Sequence, residues 1–193
     1  MNKVDQLQRL IAEAKTIVAF TGAGISTESG IPDFRSPGGI WTRMRPIEFQ
    51  DFIASEEMRR ETWRRKFAMD ETMRKATPNA GHRALARLVE QGKMLAIITQ
   101  NIDGLHQASG VPDDKVIELH GNATYAHCLE CRRRYELEWV KNIFDDNERL
   151  PICTVCQGMI KTATISFGQA MPEAEMERAR QAALEADLMI TLG

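Results

Sequence analysis

Four cysteines carry the most specific chemistry in this 193-residue chain. They form two C-x2-C pairs, Cys128-Leu129-Glu130-Cys131 and Cys153-Thr154-Val155-Cys156, with residues 132–152 between them. Each pair fits a tight knuckle, and four thiolates brought together match the tetrahedral donor set of a Zn2+ ion. A four-sulfur set leaves no open coordination position, so the role it predicts is structural rather than catalytic. A redox pair is the alternative for a single C-x2-C, and disulfides are the alternative for a secreted chain. The opening residues, Met1-Asn2-Lys3-Val4-Asp5-Gln6, lack the apolar run of a signal peptide, which favours metal over disulfides. The neighbouring Arg132-Arg133-Arg134 run has no interleaved aromatics and reads as a solvated face rather than a nucleic-acid contact.

A second chemical pattern is the glycine-rich stretch Gly22-Ala23-Gly24-Ile25-Ser26-Thr27-Glu28-Ser29-Gly30. Glycines after a strand let the backbone approach a pyrophosphate, and a following helix N-terminus favours the negative charge. Thr27 stands where a third glycine would complete the dinucleotide fingerprint. Spacing alone leaves dinucleotide binding and a plain tight turn both open. His120 has the one side chain that titrates near neutral pH, and it follows a strand candidate, where α/β active sites sit. That suits a general base, although a lone histidine is also explained by a structural role. Asn101 and Asp103 follow another strand candidate, where such residues also serve as helix caps.

The elements that must position these groups alternate along the chain. Val4, Leu7, Leu10, Ile11 and Ala14 predict an amphipathic helix over 3–15. Thr16–Phe20, Met94–Thr99, Val116–Leu119, Thr162–Phe167 and Leu188–Leu192 are short apolar runs of buried-strand type. Helical stretches are expected over 55–76, from Pro78 to about Glu90, and over 172–186. Residues 31–50, with Pro32, Pro37, Gly38, Gly39 and Pro46, read as a long functional loop. Strands alternating with helices predict an α/β fold with a parallel sheet covered on both faces. The net charge of −2 supplies no bulk attraction to nucleic acid or membrane. No stretch approaches the ~18 consecutive apolar residues of a membrane span, so a cytoplasmic protein is expected.

Three longer strings resemble the signatures of the sirtuin family. They are Gly22-Ala23-Gly24-Ile25-Ser26 with Gly30-Ile31-Pro32-Asp33-Phe34-Arg35, then Thr99-Gln100-Asn101-Ile102-Asp103-Gly104-Leu105-His106, then Leu119-His120-Gly121-Asn122. They come in the family's order, and the resemblance extends from the first helix to the last strand. It implies a Rossmann-like NAD-binding domain over 1–123 and 161–193, a zinc-binding module over 124–160, and a cofactor loop with a helical insert over 31–76. It also implies NAD-dependent removal of acyl groups from lysines of proteins or peptides, giving nicotinamide and an O-acyl-ADP-ribose. By the same resemblance Gly22, Ala23, Gly24 and Ser26 hold phosphates, and Asp33, Phe34 and Arg35 belong to the cofactor loop. Gln100 contacts the nicotinamide ribose, while Asn101, Ile102 and Asp103 line the nicotinamide pocket. His120 and Asn101 are the catalytic pair, and Ile165, Phe167 and Gly168 face the acyl-lysine.

The chain departs from the family in three places. Members that prefer acidic acyl groups carry a Tyr-x-x-Arg pair in the helical insert, where the nearest register here is Trp63-Arg64-Arg65-Lys66. Acetyl is therefore the expected group. Phe167-Gly168-Gln169 replaces the family's Phe-Gly-Glu. Sirtuins also continue past the strand matching Leu188–Leu192 by roughly fifty residues that complete the dinucleotide fold. That leaves an impaired zinc- and NAD-binding remnant, or a mono-ADP-ribosyltransferase, as alternative expectations.

Overall fold

The structure is a computed structural model that describes residues 2–34, 36, 37, 39 and 44–193. Helix α1 (Lys3–Glu13) opens on a reciprocal cap between Asn2 and Asp5. It has no buried residue, and Val4, Leu7 and Leu10 stay exposed. Only Ile11, with Ala14 just beyond the helix, packs partly against the core. Strand β1 (Ile17–Thr21) follows and ends in a 3-10 helix, Ala23–Ser29, where an α-helix start was expected. Gly30 closes that 3-10 helix at φ 87°, a conformation that costs glycine little.

Two helices of the insert come next, α2 (Phe49–Ala54) and α3 (Glu56–Lys75), the latter capped by Ser55. Helix α4 (Ala80–Glu90) is capped by Asn79 and leads into β2 (Met94–Thr99). The short α5 (Leu105–Ala108) precedes β3 (Val116–Glu118) and β4 (Gly121–Cys128). Then come β5 (Arg134–Glu136), α6 (Leu137–Phe144), β6 (Ile160–Thr164), α7 (Glu173–Glu185) and β7 (Leu188–Leu192).

The main sheet is parallel, in the order β3-β2-β1-β7. Alternation along β1 sorts its two faces. Ile17 and Ala19 join Leu85 of α4 and Ile97 of β2, while Val18 joins Ala179 and Ala182 of α7. The expected helix cover on both faces is thus present. Registers of Thr21 with Thr99 and Leu192, and of Thr99 with Glu118, bring the carboxyl ends of all four strands to one edge.

One strand goes elsewhere than its position in the alternation predicts. The 162–167 run does not join the parallel sheet. Ile160–Thr164 instead pairs antiparallel with β4 in a separate sheet, β5-β4-β6, and Ile165 to Phe167 lie beyond the strand. That sheet starts at Gly121 and ends at Thr164, so it reaches slightly outside 124–160 at both ends. Lys161 is 2% exposed within it, with Nζ donating to the carbonyls of Thr162 and Thr164.

Helix α3 supplies the other half of this second core. Trp63 is fully buried among Ala126, Tyr135, Val140 and Ile160 and stacks on Phe67, whose ring meets Phe144. Arg64 clamps the same contact from outside, with Nε donating to Glu148 at 2.6 Å. No described helix is long and apolar enough to cross a membrane. Trp63→Ala should lower the unfolding free energy by about 3–5 kcal/mol, read from urea denaturation. An effect below about 1 kcal/mol would mean that α3 and the small sheet do not share a core.

Candidate functional site

The aligned strand ends carry most of the sequence-selected residues. Thr21 and Thr99, side by side in the register, are 0% and 2% exposed. Thr21 Oγ1 donates to Thr99 Oγ1 at 2.8 Å, and Thr99 Oγ1 also accepts the Asn101 main-chain N–H at 3.0 Å. His106 Nε2 lies 2.9 Å from Thr21 Oγ1. Because the Thr21 proton is already committed, Nε2 must be the donor, and the other ring nitrogen is left bare. The strand ends and α5 are thereby locked together beneath the turn after β2.

From that floor the Asn101 side chain reaches across to the glycine-rich turn. Its Nδ2 donates to the Gly22 carbonyl at 3.0 Å and to Ser26 Oγ at 3.2 Å. Ser26 Oγ donates onward to Asp103 at 2.7 Å, and Asp103 also accepts the Leu105 N–H at 2.9 Å. Asp103 therefore takes the first N–H of α5 from one residue before the cap position, Gly104, and also faces the site. Ala23, Ser26, Phe34, Asn101, Ile102 and Asp103 line a cavity of about 220 Å³, closed on the far side by Met69, Thr72 and Met73 of α3. The two methionines make the α3 side mostly apolar, with Thr72 its one hydroxyl, while Ser26, Asn101 and Asp103 stand at the sheet end.

His120 stands at the same edge. Its Nδ1 is 2.9 Å from the Gln100 carbonyl, which can only accept, so Nδ1 carries a proton, and in the neutral ring the lone pair falls on Nε2. The main chain holds the residue from behind, with Ile165 N–H donating to the His120 carbonyl at 2.8 Å. Gly121 follows at φ 71°, where an added Cβ would lie 2.0 Å from the Ala163 oxygen, so only glycine fits there.

Other selected positions sit less centrally. The Gly22 N–H donates to the Leu192 carbonyl, and a Cβ on Gly24 would collide with Gly193 at 2.2 Å. The Asp33 carboxylate accepts the Ser36 N–H at 2.8 Å. Phe167 is 51% exposed, with its carbonyl taking the Phe49 N–H, and Gly168 is at φ 74°. His120, Gln100, Ile165, Phe167 and Gly168 do not line the cavity. Arg35 lies outside the described residues.

The four cysteines converge. Their sulfurs all lie within 4.8 Å of one another, with Cys128 to Cys156 at 3.4 Å and Cys131 to Cys153 at 3.5 Å. Thiolates around one zinc ion would stand about 3.8 Å apart, so the set is already at coordination spacing. Arg132 and Gln157, each following a C-x2-C, take φ 62° and 61°, which folds the knuckles back. Burial opposes ionisation of Cys153, but the Tyr135 hydroxyl, 3.1 Å away, and main-chain N–H groups outweigh it and hold the thiol at about 5. Main-chain donation from Gly158 favours the Cys156 thiolate, yet the neighbouring sulfurs of Cys128, Cys131 and Cys153 push that thiol up to about 12. A cation at the centre removes this conflict.

A model of the Sir2 family, the sirtuins, matches residues 22–193. This chain belongs to the Sir2 family. It is 63% identical over 190 residues to "NAD-dependent protein deacetylase 1" of Bradyrhizobium diazoefficiens, covering 98% of this chain and 74% of that protein. The "NAD-dependent protein deacetylase" of Rhodopseudomonas palustris is 57% identical, with 98% and 75% covered. Among solved structures, a Sir2 variant with a deacetylated p53 peptide and 3'-O-acetyl ADP ribose superposes with TM-score 0.85 at 36% identity, covering 100% of this chain and 76% of that one. A Sir2 bound to a propionylated peptide gives 0.81 at 36% identity, with the same coverage.

Sequence reading of this Sir2 chain passed over Thr21, Thr99 and His106 as site-building residues. Threonines at strand ends are ordinary, and only the parallel register makes them partners. His106 stacks near His82, ring centroids 5.0 Å apart, and both are buried. Burial first, then the His82 ring, hold His106 down at about 4, and burial also lowers His82. Both rings are neutral in the fold at pH values where an unfolded chain would protonate them, at about 6.5. The unfolded state then binds more protons between about pH 4 and 6.5, so stability falls as pH drops through that window. The His106 share is on the order of 3 kcal/mol. Urea unfolding at pH 7 and pH 5 should show a smaller loss for His106→Gln than for the unsubstituted chain. Equal losses would overturn this account.

Proposed function

We propose that this chain is an NAD-dependent protein-lysine deacylase that takes neutral acyl groups, acetyl first. It would transfer the acyl group to ADP-ribose and release nicotinamide, which is formally transferase chemistry. The observation that carries the reading is His120. Its Nδ1 proton is committed to Gln100, which assigns the neutral ring's lone pair to Nε2, on the sheet edge that also bears the Asn101–Asp103 turn. Relatives that share this chain's residues at high identity are named NAD-dependent protein deacetylases.

NAD supplies a ribose carbon that loses nicotinamide as the acyl oxygen attacks. The chain's own residues then have separable tasks. Gly22, Ala23, Gly24 and Ser26 form the turn that meets the phosphates, its glycines letting the main chain approach closely. Asp33, Phe34 and Arg35 form the covering loop, and Gln100 meets the nicotinamide ribose. Asn101, Ile102 and Asp103 receive the nicotinamide, with Asn101 and Asp103 oriented through Ser26. His120 Nε2 would take the proton from a ribose hydroxyl whose oxygen adds to the acyl carbon, before water completes release of the lysine amine. Ile165, Phe167 and Gly168 hold the acyl-lysine segment.

Preference for neutral acyl groups is supported by α3, where Trp63 stands in the register of the acid-binding tyrosine and is fully buried in the second core. In the same register Lys66 is paired with Asp70, and Arg64 with Glu148, Glu57 and Glu61. Cys128, Cys131, Cys153 and Cys156 fit a zinc ion by donor type and spacing, and the ion would hold the small sheet rather than act on substrate. Free thiols in a metal-binding arrangement accord with a reducing, cytoplasmic setting.

Nicotinamide release from NAD should depend on an acetyl-lysine peptide, be weaker with a succinyl-lysine peptide, and fall at least about 100-fold in His120→Ala. Peptide-independent release, or an unaffected His120→Ala variant, would sink the proposal. Separately, purified protein should hold one zinc per chain, and Cys153→Ser should lose it together with thermal stability. Zinc retained at full occupancy in that variant would argue against the four-sulfur site.

A further inference from the structure

Glu118 has no task in the reaction just described, yet it stands two residues before His120 at the end of β3. Its Oε1 accepts Gln107 Nε2 at 2.9 Å and Asn122 Nδ2 at 2.7 Å. Asn122 is 6% exposed, and its own Oδ1 takes both the Thr124 N–H, at 2.7 Å, and the Thr124 hydroxyl, at 2.6 Å. With its oxygen facing Thr124, the Asn122 amide must present nitrogen to Glu118, so the orientation is determined. The Glu118–Asn122 bond thus spans the turn that contains His120 and Gly121. Gly121 sits at φ 71° against Ala163, which leaves the turn little room to relax if the span is cut.

We propose that Glu118 is a positioning residue for His120, acting through Asn122 to hold the turn in which Nδ1 meets the Gln100 carbonyl and Nε2 faces outward. The inference rests on the deacylase reading for its catalytic consequence, but not for its structural one. The partners are amides, and both bonds fall on one oxygen. An amide side chain at this position keeps that oxygen, so hydrogen bonding rather than charge is the requirement. Burial, partly offset by those two amides, raises the Glu118 carboxyl above the ordinary carboxylate range, consistent with a site that tolerates the uncharged form.

Three substitutions separate the parts. Glu118→Gln keeps the acceptor, Glu118→Ala removes it, and Asn122→Ala removes the span while leaving Glu118. Gln107→Ala removes the other Glu118 contact and serves as the control. The first readout is the histidine nitrogen NMR spectrum, which reports the His120 tautomer without requiring activity. The Nδ1–H form should persist in Glu118→Gln and Gln107→Ala, and mix with the Nε2–H form in Glu118→Ala and Asn122→Ala. The second readout is turnover with an acetyl-lysine peptide. In Glu118→Ala and Asn122→Ala, kcat should fall about tenfold to a hundredfold while KM for NAD changes less than about twofold. An unaltered His120 tautomer in both alanine variants would overturn the proposal, as would failure of Glu118→Gln to retain it. Absence of turnover in the unsubstituted chain would instead count against the deacylase reading, with the NMR comparison still deciding the role of Glu118.

Discussion

The hydroxyl bond between Thr21 and Thr99 exists because β1 and β2 run parallel in a register that ends both strands at the same level. Nearly everything polar in the site is built outward from it. The Asn101 N–H sits on Thr99, His106 sits on Thr21, and the Asn101 side chain then bridges to Gly22 and Ser26. A slip of one residue in that register would exchange the faces of the strand and bury different side chains altogether. The same alignment extends sideways to Glu118 and places His120 on the shared edge. Parallel strands give the site its flatness and common level, and the short chain segments past their ends supply its chemistry.

The second constraint is the small antiparallel sheet. Its core cannot close with its own residues, because Trp63 of α3 occupies the space between Ala126, Val140 and Ile160. Ion pairing repeats the arrangement at the surface, where Arg64 holds Glu148, a residue at φ 54° in an otherwise exposed loop. Further along α3, Met69 and Met73 form the far wall of the cavity. The cysteine cluster and the cavity are thus joined by one rigid helix rather than by a flexible loop.

Much of this was readable from the amino-acid order because the decisive signals are local. The two C-x2-C pairs set ligand spacing within four residues each, and the structure brings all four sulfurs together. Asn79 and Gly92 bracket α4 as cap and stop signals, and the apolar runs at 17–21 and 94–99 are central strands. What was not readable depends on long-range partners. The Thr162–Phe167 run looks like another buried parallel strand, and only its pairing with β4 assigns it to the other sheet. Trp63 and Arg64 read as part of a charged amphipathic helix, with nothing local to say that they also have partners beyond residue 120. His106 drew no attention as a site residue because its value comes from a hydroxyl 85 positions earlier in the chain.

The sharing of α3 between two cores also bears on how such molecules exchange parts. The segment 121–164 is continuous in sequence and holds all four cysteines and three paired strands. Moved alone into a relative, it would leave behind the tryptophan that fills its centre and the arginine that anchors its loop. The unit that shares this core is discontinuous, 49–76 together with 121–164, and recombination that respects it carries Met69, Thr72 and Met73 of the cavity along with the cysteine cluster.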